Sequence, residues 1–153
     1  MKRYLLLALV GLFMVACSSA TTQTIAARAD WCVKPYEEAN HAPVVCIAGK
    51  REVTLAAGTM LRLDASASTD PDGDKLSFRW WHYKEAGSYG GDIEIENSDS
   101  AVASVRIPHD ATEDQTIHLI CEVQDDGTPA LTRYERVVVT VDEPQLALSL
   151  IHI

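Results

Sequence analysis

LRLDASASTDPDGDKLSFRWWHY, residues 61–83, is the stretch whose reading decides the fold. It reads as strand, acidic turn, strand. Leu61, Leu63 and Ala65 alternate with Arg62, Asp64 and Ser66, the period of a half-buried strand. Asp70-Pro71-Asp72-Gly73-Asp74 then turns the chain. Proline fixes φ, glycine admits φ > 0, and aspartate side chains bond nearby backbone N–H groups. Alternation resumes at Leu76, with Leu76, Phe78 and Trp80 on one face and Ser77, Arg79, Trp81 and Tyr83 on the other. A large aromatic such as Trp80 inside such a strand predicts the core plug of a small β-sandwich.

Working outward, further strand-like runs are spaced as a sandwich requires. They are Val44–Ala48 with its continuation Glu52–Leu55, Met60–Ala65, Leu76–Tyr83, Asp92–Glu96, Ala103–Ile107, Ile117–Gln124 and Arg133–Val141. Gly49, Gly58, Pro108 and Asp125-Asp126-Gly127-Thr128-Pro129 punctuate them. In the late runs Ile117, Leu119, Cys121 and Val123, then Val137, Val139 and Val141, form the inward sets. No helical pattern separates the strands, which excludes βαβ architecture. The expectation is an all-β, antiparallel Ig-like sandwich of about seven strands.

The chain has 153 residues, enough for one domain and a short extension. Its 22 acidic against 13 basic residues give a formal net charge of −9. That balance excludes nucleic acid as a partner, because phosphate binding needs a basic footprint. Met1-Lys2-Arg3 followed by the apolar run Tyr4–Ala16 fits a signal peptide, being too short to span a bilayer. Met14-Val15-Ala16-Cys17 resembles a bacterial lipobox, which predicts lipidation at Cys17. Cleavage after Ser18-Ser19-Ala20 is the competing reading. Ser18 after the cysteine resembles cargo sorted to the outer membrane, so the expected location is the cell envelope.

The expected boundaries are a signal segment at 1–17, a tether and lead-in at 18–41, the sandwich at 42–142 and a tail at 143–153. Thr21–Ala29 reads as a small, polar tether. Asp30 could cap a short helix that Pro35 would interrupt. Leu148–Ile153 departs from the domain's pattern and translates a common sequencing-transposon end, so the tail is expected to be non-native. Of Cys32, Cys46 and Cys121, one pair and one buried thiol are expected: Cys46 could face Cys121 across the sandwich or be reached by Cys32, and the inward position of Cys121 favours it as the buried free thiol. No Cys-x-x-Cys spacing supports zinc.

Ala42-Pro43-Val44, Leu63-Asp64-Ala65-Ser66, Ser68–Asp74, Phe78-Arg79-Trp80 and Val123-Gln124-Asp125-Asp126-Gly127 together resemble a PKD or cadherin-like Ig domain. A closer resemblance rests on Asp30–Val45 (DWCVKPYEEANHAPVV) and Trp80–Gly87 (WWHYKEAG). These are similar to the C-terminal domain of a bacterial family described as cellulose-binding, whose N-terminal half resembles nucleoside hydrolases. The resemblance runs from about Ala29 to Val141. It implies polysaccharide, or a hydrolase-like domain, as partner. The segment between signal and Trp31 leaves no room for the hydrolase-like half, so no catalytic activity carries over.

Two constellations carry chemistry. Asp64, Asp70, Asp72 and Asp74, joined by Asp125 or Asp126, could converge on one end of the sandwich and supply calcium with carboxylate oxygens. A plain Asx-rich turn is the alternative, and EF-hand spacing is absent. Trp81, Tyr83 and Arg79 share the face opposite Trp80, with Tyr89 in the next loop. Exposed aromatics in a row grip sugar rings, apolar ring face on π-face. The alternative is that this face packs on another domain or on the Trp31–Tyr36 lead-in. His41, His82, His109 and His118 have no metal spacing, and no serine sits in a Gly-x-Ser-x-Gly elbow. No catalytic set emerges.

Overall fold

The computed structural model describes the backbone of residues 20–142 and the side chains of residues 27–142. The expected signal segment with Cys17, and the expected tail at 143–153, lie outside the described residues. The strands are β1 Glu52–Ala56, β2 Met60–Asp64, β3 Ser77–His82, β4 Ile95–Glu96, β5 Val102–Arg106, β6 Thr116–Gln124 and β7 Thr132–Asp142. They form a four-stranded sheet in the order β1-β7-β6-β3 and a three-stranded sheet in the order β2-β5-β4. This is an all-β Ig-like sandwich.

The two sheets enclose the core predicted by alternation. Leu63 from β2, Ala103 and Val105 from β5, and Leu119, Cys121 and Val123 from β6 are all buried. Val137, Val139 and Val141 of β7 join them. Trp80 is 2 % exposed, and its indole Nε1 donates to the Ser100 carbonyl at 3.1 Å. The plug thus buries its ring without leaving its one donor unpaired.

The first strand departs from expectation. Val44–Ala48 forms no strand; Val44 makes a single bridge with Thr69, and the Ala48 N–H donates to the Asp64 carbonyl at 2.8 Å. Gly49, at φ 84°, then turns the chain away in a conformation that side chains resist. The chain reaches the opposite sheet, where β1 runs parallel to β7, pairing Glu52 with Val138 and Ala56 with Asp142. Among the described residues, every strand pairing but this one is antiparallel. The run at Asp92–Glu96 shortens to Ile95–Glu96, paired with Val105 and Ser104.

Ahead of the sandwich, α1 spans Ala20–Val33. The segment expected to be a tether is helical, with Gln23, Ala26, Ala27, Arg28 and Ala29 supplying helix-favouring residues. Asp30 accordingly caps nothing. It lies in the last turn and pairs with Lys34 at 3.2 Å. Proline disfavours α geometry in the residue before it, so the helix stops short of Pro35, and a 3₁₀ turn follows at Tyr36–Glu38. The expected disulfide is not formed: Cys32 and Cys46 are free and exposed, and Cys121 is free and buried. Cys32 lies on α1 near Thr132 and Tyr134, whereas the Cys46 N–H donates to the Ser68 hydroxyl.

Candidate functional site

Strand register places the outward face of the larger sheet. Trp81 of β3 stands opposite Ile120 of β6, which stands opposite Arg136 of β7. The next row along is Arg79, Glu122 and Tyr134. Tyr83 follows Trp81 on the same side, with their ring centroids 5.5 Å apart and tilted by 54°. Tyr83 is 41 % exposed and Tyr134 59 %. Ile120 is 8 % exposed although it lies outside the core cluster, so its neighbours on this face cover it. The result is an apolar floor with aromatic rings and charged edges.

Arg79, Trp81 and Tyr83 are brought together as the alternation predicts. Tyr89 is not. It is 5 % exposed and belongs to the core, where its hydroxyl donates to Asp110 at 2.9 Å. Loss of hydration, then the Asp110 bond, pushes its pKa up. A loop tyrosine has no periodicity to reveal which way it faces. Ile120, Tyr134 and Arg136 were missed as partners of Trp81, although the alternation in β6 and β7 already set them outward. The Trp81 Nε1 is shut off from solvent and has no hydrogen-bond partner among the described residues. Beside Trp81 a groove of about 350 Å³ runs between β3 and β4, lined by His82, Lys84, Asp92, Ile93 and Ile95.

The lead-in does not cover Trp81 and Tyr83. Trp31 of α1 packs at the opposite end of the sandwich, around Leu131 and Thr132. Its Nε1 donates to the Asn40 carbonyl at 2.7 Å. The Asn40 amide in turn donates to Asp125 Oδ1 at 3.1 Å and to the Pro129 carbonyl at 2.9 Å.

That end also gathers the acidic turn. Asp70, Asp72 and Asp74 each bring a carboxylate oxygen within 4.8 Å of the others. Asp70 Oδ1 accepts from the N–H groups of Asp72 and Asp74. Asp72 takes the His41 N–H at 2.6 Å and the His41 ring at 2.8 Å, and these bonds hold its pKa below the usual carboxylate range. Asp74 shifts the other way. Loss of hydration and the charges of Asp70, Asp126, Asp125 and Asp72 raise it. Asp64 does not join the group; it accepts from the Ser66 hydroxyl and amide and pairs with Arg62 at 2.9 Å. Asp125 is 3 % exposed and anchors its own turn, Oδ1 accepting from Gly127 and Leu131 N–H groups.

The family model for the cellulose-binding protein Sde0182, C-terminal domain, matches residues 60–141. No curated protein matches. Among solved structures, the chain is similar to a nucleoside hydrolase-related hypothetical protein from Saccharophagus degradans that is associated with carbohydrate metabolism. The identity is 41 %, the TM-score 0.70, and the match covers 82 % of this chain and 32 % of that one. The chain thus spans about a third of that protein's length. The PKD domain of the KIAA 1837 protein is a further neighbour, 26 % identical over 69 % of this chain and 91 % of that one, with a TM-score of 0.46. On the match to more than half of its residues, the chain belongs to the family of the C-terminal domain of cellulose-binding protein Sde0182.

Proposed function

We propose that this chain is a non-catalytic accessory domain of an exported lipoprotein, anchored in the cell envelope through Cys17, that binds polysaccharide of the cellulose type. The observation carrying it is the outward face of β3. Trp81 and Tyr83 stand two residues apart with rings 5.5 Å apart, on the far side of the sheet from the core. Sugar rings present apolar C–H faces to such rings, while edge groups such as Arg79 and Glu122 are placed to bond hydroxyls. The carbohydrate association of the Saccharophagus relative and the family's cellulose-binding description support the same reading.

A second reading has this face docking a hydrolase-like domain. The relative's much greater length and the apolar floor at Ile120 favour it. Pull-down of the protein on insoluble cellulose and other glycans separates the two. Retention of wild type, abolished in Trp81→Ala, is expected. Failure of wild type to bind any glycan defeats the carbohydrate reading and leaves docking.

A further inference from the structure

We infer, on the polysaccharide reading of this protein, that the outward face of the larger sheet takes a single twisted glucan chain rather than the flat face of a cellulose crystal, with Tyr134 as the far contact. The two rings on β3 come first. Trp81 and Tyr83 have centroids 5.5 Å apart, close to the length of one sugar residue in an extended chain, but their planes are tilted by 54°. Rings at that separation attract each other, which holds the angle. Only coplanar rings can lie together against a flat crystal face. A lone chain can twist from one residue to the next and offer each ring its own C–H face.

The sheet repeats that twist on a larger scale. Tyr134 is exposed on β7, two strands away from β3, in the row of Arg79 and Glu122. Each strand step rotates a sheet by about 20–25°, so two steps turn the β7 surface roughly 45° from the β3 surface. From strand spacing, the Tyr134 position lies about 12 Å from Trp81 and about 17 Å from Tyr83, a diagonal long enough for roughly three or four sugar residues. Ile120, between Trp81 and Arg136 in its row, gives the diagonal an apolar floor.

The charges on this face point the same way. Arg79, Glu122 and Arg136 share it, and none of the three forms an ion pair among the described residues. A crystal spends its hydroxyls on bonds between chains, so a crystal face laid here would dry these charges without giving them partners. A lone chain keeps free hydroxyls along both edges. Those hydroxyls can donate to a carboxylate and accept from a guanidinium. Past Tyr134, in the next row, Gln124 and Thr132 form one wall of a groove of about 450 Å³, and Arg28 and Cys32 of α1 form the other. The track therefore runs on beyond its last ring.

The test titrates the purified protein with cellobiose and cellohexaose in a calorimeter, and measures its retention on amorphous and on microcrystalline cellulose. Cellohexaose is expected to bind saturably, and cellobiose, too short to span from Trp81 to Tyr134, at least roughly tenfold more weakly. Amorphous cellulose should retain the protein and microcrystalline cellulose should retain far less. Tyr134→Ala should weaken cellohexaose roughly tenfold, the loss of one stacked ring, while Tyr134→Phe should stay within about twofold of wild type. Cellobiose affinity unaltered in Tyr134→Ala would show that the near end of the track remains intact. Equal retention on the two celluloses, or full cellohexaose affinity in Tyr134→Ala, overturns the inference and leaves the polysaccharide reading standing. Failure of wild type to bind any of the four ligands overturns both.

Discussion

Two adjacent tryptophans give the sharpest quantitative prediction, because one reading makes Trp80 structural and Trp81 a surface for ligands. Trp80→Ala empties the centre of the core, where the ring is 2 % exposed. Such a truncation costs about 3–5 kcal/mol, and losing the indole bond to the Ser100 carbonyl adds about 1 kcal/mol. Against a typical domain stability of about 5–15 kcal/mol, the variant is left marginal. Trp81→Ala removes a partly exposed ring outside the core cluster, for about 1–2 kcal/mol of lost burial over Ile120. Urea unfolding followed by circular dichroism reads both. With a slope of about 1.5 kcal/mol per molar urea, the midpoint should fall by roughly 3 M for Trp80→Ala and roughly 1 M for Trp81→Ala. Glycan retention should vanish only in the second, once both variants are tested below their unfolding midpoints. Equal midpoint drops would refute the division of labour, and so would retention by Trp81→Ala undiminished from wild type.

Asp125→Ala, which strips the acceptor from Asn40, Gly127 and Leu131, should cost about 3 kcal/mol by thermal melting, with Asp125→Asn markedly milder; a loss under about 0.5 kcal/mol would contradict the anchoring role. Burial, then the nearby Glu135 charge, pushes the Cys121 thiol up to about 12, so iodoacetamide at neutral pH should label exposed Cys32 and Cys46 but reach Cys121 only after denaturation. Native labelling of Cys121 at the rate of the other two would count against its burial. Loss of hydration lowers the pKa of His82, with Lys84 adding to the effect, and likewise that of His118, with Arg136 adding. A base with a depressed folded pKa leaves the unfolded chain holding more protons, so stability present above about pH 6.5 should decline as the pH falls below it. His118→Gln should flatten that decline, and an unchanged slope in the variant would remove His118 as its source.

Periodic signals in the sequence were read correctly because burial itself is periodic. Cys121 lies two positions beyond Leu119 and Val139 two beyond Val137, Trp80 lies two beyond Phe78, and Trp80, Cys121, Val137 and Val139 are each buried. Where burial is set by tertiary contacts, the pattern is mute. Val44–Ala48 has strand composition, yet it leans on the smaller sheet through isolated bonds before crossing over. Tyr89 lies in a loop and turns inward to meet Asp110. Asp64 and Asp125 look alike in sequence. One is satisfied locally by Ser66 and Arg62, while the other is enclosed by turns distant in the chain. The helical segment before Trp31 was misread because its alanines suit a tether and a helix equally.

The parallel pairing of β1 with β7 gives the fold a mechanical property. Five register pairs join the first strand to the last, from Glu52 with Val138 to Ala56 with Asp142. Tension applied through the two ends of the chain would pull these strands past each other lengthwise, loading the bonds between them simultaneously. A hairpin pulled from its open end instead unzips one bond at a time. The same arrangement delays assembly: β1 has no strand partner until residues near 142 are available, and such a distant contact is slow to form. A chain built this way reaches its final form late and, once there, is suited to bearing a load between its two ends.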